Sequence, residues 1–200
     1  MKHELLYRGI LLVLFIGAFI MSKHFRGRAD KQCGKMPRRG DGVGFLIPQI
    51  VISLSILGWL LTYLFAPQLI GWSQVELPQW LRLSGAGLGV VAIGLFVWMF
   101  RHLGTNVTAT AQTRPDAQLV TTGPYHWVRH PMYAFGLIRF LAIVVITASW
   151  FVAIAGAGGF SFLVIRCRQE EANLIAKFGD DYRAYMQRTG RFFPKVAQNK

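Results

Sequence analysis

The chain has 200 residues, of which 53% are hydrophobic and 16% are charged, and its formal net charge is +13. Its 22 Lys and Arg residues, against 9 Asp and Glu residues, lie almost wholly between long apolar runs. Proteins that bind nucleic acid carry such a charge on a folded, soluble face. The distribution therefore argues against a nucleic-acid partner and predicts a membrane protein whose basic loops contact anionic lipid headgroups.

Five apolar segments can be marked along the chain, at 5–21, 44–66, 83–100, 132–148 and 149–165. A spanning helix needs about 20 residues, and each of the last two segments reaches only about 25 Å as a helix. We expect them to form a tight hairpin that stops short of the far surface or thins the bilayer locally. The predicted fold class is all-α: one integral membrane domain over 1–200, a polytopic bundle of about five transmembrane helices with a short cytoplasmic helical C-terminal region.

The distribution of basic residues predicts the orientation of this bundle. The connection 23–39 is rich in Lys and Arg, whereas 67–80 contains neither. By the positive-inside rule, the N-terminus lies outside and the C-terminus lies in the cytoplasm. Small size and the lack of a targeting tail favour a bacterial or archaeal inner membrane.

Small residues in the spans predict helix packing. Gly85 and Gly89 are four residues apart, as are residues of helix-packing faces in lipid. Gly156, Gly158 and Gly159 invite the same interpretation, because no strand precedes either group as a dinucleotide fingerprint requires. Further along, we expect a helix to extend from the fifth span to Gly179, with Asp180 capping a second short helix.

Polar residues collect at both ends of the predicted hairpin. The stretch 119–133 reads LVTTGPYHWVRHPMY, and its Pro131 suits the first turn of the fourth span. Arg166 and Glu170 lie one helical turn apart at the end of the fifth span, where they can pair. A closed hairpin would bring these groups together, either as a functional site or as an interfacial ion pair with snorkelling side chains.

Two histidines raise the question of a metal site. His126 and His130 are spaced i, i+4, as metal ligands on a helix are. No third ligand is evident, and Pro131 argues against a continuous helix through both. We therefore predict no metal.

The stretch LVTTGPYHWVRHPMY, followed by IRCRQEEANLIAKFGDDYRAYMQRTGRFFP, resembles the isoprenylcysteine carboxyl methyltransferases and, more loosely, the membrane phospholipid methyltransferases. The likeness covers about 101–195. It implies an enzyme that moves a methyl group from S-adenosylmethionine to a lipophilic acceptor at the cytoplasmic face, with carboxyl O-methylation of an isoprenylcysteine-like substrate as the leading reaction. The implied donor-binding region comprises 101–133 and 166–195.

The resemblance assigns roles to matching positions only. The implied catalytic residues are Arg166, Glu170 and Glu171, with Arg166 placed to bind the acceptor's carboxylate. The implied donor-binding residues are Gln112, Leu119, Val120, Thr121, Tyr125, His130, Pro131, Met132, Tyr133 and Glu171. A carboxylate acceptor is ionised near neutral pH and needs no general base, and an arginine fork suits it better than a lysine.

The chain departs from the family pattern at Arg139, where an apolar or aromatic residue is expected. An arginine this deep in a span costs about 2.5–3.5 kcal/mol on insertion scales, so we expect it to face the bundle interior. It either contacts an acidic headgroup of the acceptor or pairs with an internal carbonyl. The acceptor can therefore differ from isoprenylcysteine.

Other functions stay open at this point. The acceptor could be a phospholipid, an amine or a thiol, and the last two would require a base such as His130 or a glutamate. A non-enzymatic membrane lipid-binding protein would need no donor pocket. A sterol-reductase-like enzyme has more spans than 200 residues allow. The sequence does not specify the oligomeric state.

Overall fold

The computed structural model describes residues 4–34, 43–106 and 117–195. Within these ranges the chain forms helices and short 3₁₀ turns, with two isolated bridges and no strand. The helices are α1 (Glu4–Cys33), α2 (Val43–Phe65), α3 (Gln79–Leu103), α4 (Pro131–Thr147), α5 (Trp150–Phe178) and α6 (Asp180–Arg188). The predicted all-α class is confirmed.

Three helical stretches in the described ranges are long and apolar enough to cross a membrane: Glu4–Cys33, Gln79–Asn106 and Trp150–Phe178. Two further apolar helices, Ile50–Phe65 and Pro131–Thr147, are shorter. Each predicted segment thus corresponds to a helix. The helix α1 extends well beyond its predicted end. The helix α5 continues past Ile165 to Phe178, as predicted, and becomes polar after Ile165.

The chain divides into two compact units. Unit 1 comprises Met1–Ile20, Asp41–Ile93 and Leu137–Phe162, and unit 2 comprises Met21–Gly40, Gly94–Gly136 and Leu163–Lys200. The core of unit 1 is aromatic and aliphatic, and its buried members are Tyr7, Leu11, Trp59, Leu60, Tyr63, Ile70, Ile146 and Val152. Unit 2 buries Met99, Phe100, Val128, Tyr133, Phe135, Cys167, Tyr182 and Tyr185.

In unit 2, part of the basic connection after the first predicted span is helical, because α1 continues to Cys33. Lys23 and Arg26 are exposed on this part of the helix. On another face, the ring of Phe25 stacks on that of Phe100 with centroids 5.2 Å apart. A helix with one packed face and one charged face is stable beyond the apolar span.

The α4–α5 hairpin of unit 1 turns at Ala148, which adopts φ 49°, a conformation uncommon for a residue with a Cβ. Two contacts hold the turn. The Val75 amide donates to the Ala148 carbonyl at 2.8 Å, and Arg82 donates through Nε and Nη2 to the Ile146 carbonyl at 3.0 and 2.8 Å. The Arg82 guanidinium, itself paired with Glu4, thus satisfies a carbonyl at the end of α4 that the helix leaves unbonded.

Glycines allow close helix packing in unit 1, as predicted. A Cβ on Gly85 would lie 3.0 Å from side-chain atoms of Ile146 and Val145, and a Cβ on Gly89 would overlap Leu14. Gly156 faces the Phe140 ring in the same way, and a Cβ on Gly159 would lie 3.1 Å from Ile52. Gly158 differs, because a Cβ there would meet open space.

The C-terminal helices of unit 2 meet at Gly179, which adopts φ 56° and whose amide donates to the Ile175 carbonyl at 2.9 Å. Gly179 ends α5 as predicted. The predicted capping role of Asp180 is wrong. Gly179 itself occupies the N-cap position of α6, and Asp180 is the first helical residue, where a carboxylate still favours the positive end of the helix dipole.

Candidate functional site

The motif that precedes α4 is shaped by a glycine turn in unit 2. Gly123 adopts φ 59°, and a Cβ there would overlap the imidazole of His102. The following residues form a 3₁₀ turn, Gly123–His126, and Pro131 then opens α4 as its first residue. Because proline lacks an amide hydrogen and fixes φ, it begins the helix without an unpaired donor. The turn thereby positions His130 at the foot of α4.

The C-terminal segment 189–192 runs alongside this motif. The Arg129 amide donates to the Gly190 carbonyl at 2.8 Å, and the His130 amide donates to the Arg191 carbonyl at 3.0 Å. Val128 and Gly190 form a parallel bridge. Backbone hydrogen bonds thus attach the end of the described chain to the residues that carry the motif.

Glu171 lies at the centre of a buried charged cluster and is 4% exposed. Arg129 Nε donates to its Oε1 at 3.0 Å, and His130 Nε2 lies 3.3 Å from the same oxygen. Arg191 binds the other oxygen through Nη2. Burial raises the pKa of Glu171, but the bonds from His130, Arg191 and Arg129 outweigh it and lower the pKa to about 2. Glu171 is therefore ionised across the physiological range.

The neighbouring carboxylate has different surroundings. Tyr133 donates from its hydroxyl to Glu170 Oε1 at 2.7 Å, and Arg166 Nε lies 3.7 Å from that oxygen. His130 Nδ1 lies 3.8 Å from Glu170 Oε2. The side chain of Glu170 is 16% exposed, against 5% for Glu171. Within the part of the chain that the structure describes, Glu170 therefore has fewer close cationic partners than Glu171, and its greater exposure leaves more room for a ligand.

Five of the residues that the sequence singles out meet in this cluster: His130, Tyr133, Arg166, Glu170 and Glu171. Tyr125 precedes His130 by five residues. Its carbonyl accepts a 2.5 Å hydrogen bond from the Tyr185 hydroxyl.

The other donor-binding positions differ in their surroundings. Leu119, Val120 and Thr121 are half-buried residues of an irregular stretch. Pro131 is buried and Met132 is exposed. Gln112 lies outside the described residues.

Sequence reasoning missed Arg129 and Arg191, which hold Glu171. Arg129 belongs to the quoted RHPMY motif, and Arg191 follows α6 in the stretch RTGRFFP. Arg129 also donates through Nη1 to the carbonyls of Met186, at 3.2 Å, and Thr189. The available signal was only general: arginines buried in a mostly apolar chain need counter-charges, but the sequence does not say which carboxylate each of them meets.

Arg139 belongs to unit 1. It lines a small apolar cavity together with residues of α1, α3 and α4, namely Leu14, Phe15, Gly89, Ile93, Ala142 and Ile143. The expectation that it faces the interior is met only in part, because the residue is also exposed at the surface of the unit.

In the described part of the chain, His130, Cys167 and Glu171 offer ligand atoms that all lie within 4.8 Å of one another. Sequence spacing missed this trio because Cys167 and Glu171 come from another helix. The trio fits a metal poorly. Glu171 already binds two guanidinium groups, whose charge opposes a cation, and burial raises the pKa of the Cys167 thiol to about 12, although metals bind the thiolate.

Several known proteins are similar to this chain. A nickel-cobalt-cadmium resistance protein, NccN, from Alcaligenes xylosoxydans xylosoxydans is 30% identical over 84 residues, 42% of this chain and 39% of its own length. The cobalt-zinc-cadmium resistance protein CzcN of Cupriavidus metallidurans is 26% identical over 68% of this chain and 61% of its own. A methanethiol S-methyltransferase from a Pseudomonas species is 29% identical over 64% of this chain and 55% of its own.

The chain thus spans less than two thirds of the length of these relatives. Among solved structures, the eukaryotic intramembrane Ras methyltransferase, an isoprenylcysteine carboxyl methyltransferase, has the same fold. Its TM-score is 0.61 at 18% identity, over 97% of this chain and 67% of that one. The family model of the phospholipid methyltransferases matches residues 80–181, more than half of the chain. The chain therefore belongs to the phospholipid methyltransferase family, which confirms the resemblance that its motifs indicate.

Proposed function

We propose that the protein transfers a methyl group from S-adenosylmethionine to a lipophilic acceptor, and that the leading reaction is carboxyl O-methylation of an isoprenylcysteine-like molecule. One observation carries the proposal: Tyr133, Arg166 and Glu170 converge where the apolar part of α5 ends. Such a cluster places one carboxylate beside one guanidinium. The carboxylate can bind the ammonium group of the donor's amino-acid part, and the guanidinium can bind an acidic group of the acceptor. The family to which the chain belongs agrees with this chemistry.

Glu170 is the better candidate to receive the ammonium group of the donor. Its side chain is more exposed than that of Glu171, and its close hydrogen bond comes from the neutral Tyr133 hydroxyl. Glu171, in contrast, already accepts from two arginines. In this proposal Tyr133 orients Glu170, and His130, Tyr125 and the stretch 119–121 border the donor.

Arg166 is the candidate to bind the acceptor's carboxylate. Its guanidinium lies 3.7 Å from Glu170, so an acceptor held by Arg166 would lie beside a donor held by Glu170. The donor supplies a methyl group on a positive sulfur, and the residues align it with the acceptor oxygen. Alignment in a dry pocket can lower a barrier by about 7–11 kcal/mol. A carboxylate arrives ionised, so no residue has to remove a proton.

A thiol acceptor is the second candidate, because four relatives, from Pseudomonas, Mycobacterium and Bradyrhizobium, carry the name methanethiol S-methyltransferase. A thiol has an ordinary pKa of about 8.5 and needs a base for full activation. His130 is the candidate base, because it is the histidine of the cluster and histidine is the side chain that most often accepts a proton in catalysis. A phospholipid or an amine acceptor would also need a base. A non-enzymatic lipid-binding role would need none.

The apolar helices suggest how an acceptor reaches the site. An acceptor with a prenyl or acyl tail would enter sideways from the bilayer. Arg139, which lines an apolar cavity of unit 1, stays a separate candidate contact for an acidic lipid headgroup. We propose a bacterial inner membrane, with the N-terminus outside and the site on the cytoplasmic face. The bacterial relatives and the basic residues on α1 support this placement.

A transfer assay with labelled S-adenosylmethionine tests the proposal. The acceptors are a prenylated cysteine, its methyl ester, a long-chain alkanethiol and an aminophospholipid. Transfer to the prenylated cysteine but not to its ester is the expected result. Transfer to the alkanethiol alone would replace the leading acceptor by the second candidate. No transfer to any of these acceptors, by protein that stays folded, would contradict the proposal.

A further inference from the structure

Arg191 connects the end of the described chain to the candidate site. Its backbone carbonyl accepts from the His130 amide at 3.0 Å, and its side chain binds Glu171. The side chain of Arg191 is 35% exposed, whereas that of Glu171 is 5% exposed. A partly exposed arginine thus reaches inward to a buried carboxylate, and its own segment lies against the residues before α4.

Glu171 in turn contacts His130. His130 Nε2 lies 3.3 Å from Glu171, and His130 Nδ1 lies 3.8 Å from Glu170. The imidazole therefore stands between the two carboxylates. If Glu171 moves, the imidazole can turn, and the position of Glu170 relative to Tyr133 changes with it. Arg129 fixes one oxygen of Glu171, and Arg191 fixes the other.

We propose that Arg191 is a positioning residue for donor binding, which acts through Glu171 and His130 on the side chains that meet the donor. The proposal rests on the donor site proposed above. It assigns no contact with the donor to Arg191 itself. The proposal gives the two adjacent glutamates different roles: Glu170 binds the donor, and Glu171 holds His130 in position.

The competing explanation is an ion pair that serves folding alone. A partly exposed ion pair contributes little to stability. In that case Arg191→Ala would lower the melting temperature slightly, and the affinity for the donor would stay the same. Donor affinity is therefore the measurement that separates the two explanations.

The test measures binding of S-adenosylhomocysteine by calorimetry to the purified full chain and its variants. Arg191→Ala is expected to weaken binding by about 10- to 100-fold, as loss of a hydrogen bond to a charged group does. Arg191→Lys should restore part of the affinity, because it keeps the charge but not the fork. Arg183→Ala is the matched control. It removes a 59% exposed arginine that pairs with Asp180, and it should bind like the wild type.

A double variant tests the route through Glu171. Arg191→Ala combined with Glu171→Gln should bind no more weakly than Glu171→Gln alone, because both changes break the same link. Fully additive losses would overturn the proposal, as would affinity of Arg191→Ala within about twofold of the wild type. If Arg191→Ala does not fold, the same comparison of S-adenosylhomocysteine affinity is made with Arg191→Lys, alone and combined with Glu171→Gln. A wild-type protein that does not bind S-adenosylhomocysteine would instead refute the proposed donor site.

Discussion

Arg129 Nε lies 3.0 Å from Glu171 Oε1, although 42 residues separate the two in sequence. The pair joins the residue before the foot of α4 to the polar part of α5, and both side chains are less than one-tenth exposed. Such a contact organises the site, because a buried carboxylate with two guanidinium partners has little freedom to move.

Glu171→Gln should destabilise the protein more than Glu170→Gln does. The first change leaves the guanidinium groups of Arg129 and Arg191 without a counter-charge, and breaking a buried ion pair costs about 3–5 kcal/mol. Among the described residues Glu170 pairs with one arginine, at 3.7 Å, so its replacement should cost less. Thermal unfolding in the same detergent compares the two. Equal melting temperatures would show that Glu171 is not the centre of the cluster.

The contribution of Glu171 to the stability of the folded protein should fall as the solution becomes acidic. Its pKa is lowered from 4.5 to about 2, so the folded state favours the ionised carboxylate. The contribution is complete above pH 4.5 and is lost as the pH falls towards about 2. The difference in melting temperature between the wild type and Glu171→Gln should therefore shrink as the pH falls from 4.5 towards about 2. A difference that grows on acidification would contradict this assignment.

Tyr133→Phe should impair donor binding while the protein stays folded. The substitution removes the hydroxyl that donates to Glu170 at 2.7 Å, and a hydrogen bond to a charged group contributes about 1.5–3 kcal/mol. Calorimetry with S-adenosylhomocysteine measures the effect. Tyr182→Phe is the matched control, because the buried Tyr182 hydroxyl has no hydrogen-bond partner in the described part of the chain. If both variants bind alike, Tyr133 does not orient a ligand-binding carboxylate.

The glycines of α5 offer a test of helix packing. Gly156→Ala should lower the melting temperature, because the added methyl group would overlap the Phe140 ring. Gly158→Ala, in the same helix, should be neutral or stabilising by about 0.5–1 kcal/mol, since its methyl group would enter open space. The reverse order would mean that α5 packs through another face.

Much of the fold follows from the sequence. The apolar runs locate the five long helices, Pro131 marks the start of α4, and Gly179 marks the end of α5. The end of α1 could not be predicted, because residues 22–33 alternate basic and small residues and resemble a loop. The predicted capping role of Asp180 was wrong for a different reason. Gly179 serves as the N-cap of α6, and the Asp180 carboxylate then occupies the first helical position.

The site was predictable in part. The motif residues and the hairpin bring His130 near Glu170 and Glu171, as the closed hairpin implies. The roles of Arg129 and Arg191 were not predictable, because a charged residue finds its partner through tertiary packing and not through sequence spacing. The distinction between the two glutamates also depends on three-dimensional surroundings, since they are adjacent in the chain and identical in chemistry.

The central claim is that Glu170 binds the donor's ammonium group. Calorimetric titration of S-adenosylhomocysteine into the wild type, Glu170→Gln and Glu76→Gln tests it most directly. Glu76 is an exposed carboxylate of unit 1, so its variant controls for loss of charge. We predict that the wild type and Glu76→Gln bind alike and that Glu170→Gln binds at least about tenfold more weakly while it stays folded. Unchanged binding by Glu170→Gln, or no binding by the folded wild type, would contradict the claim.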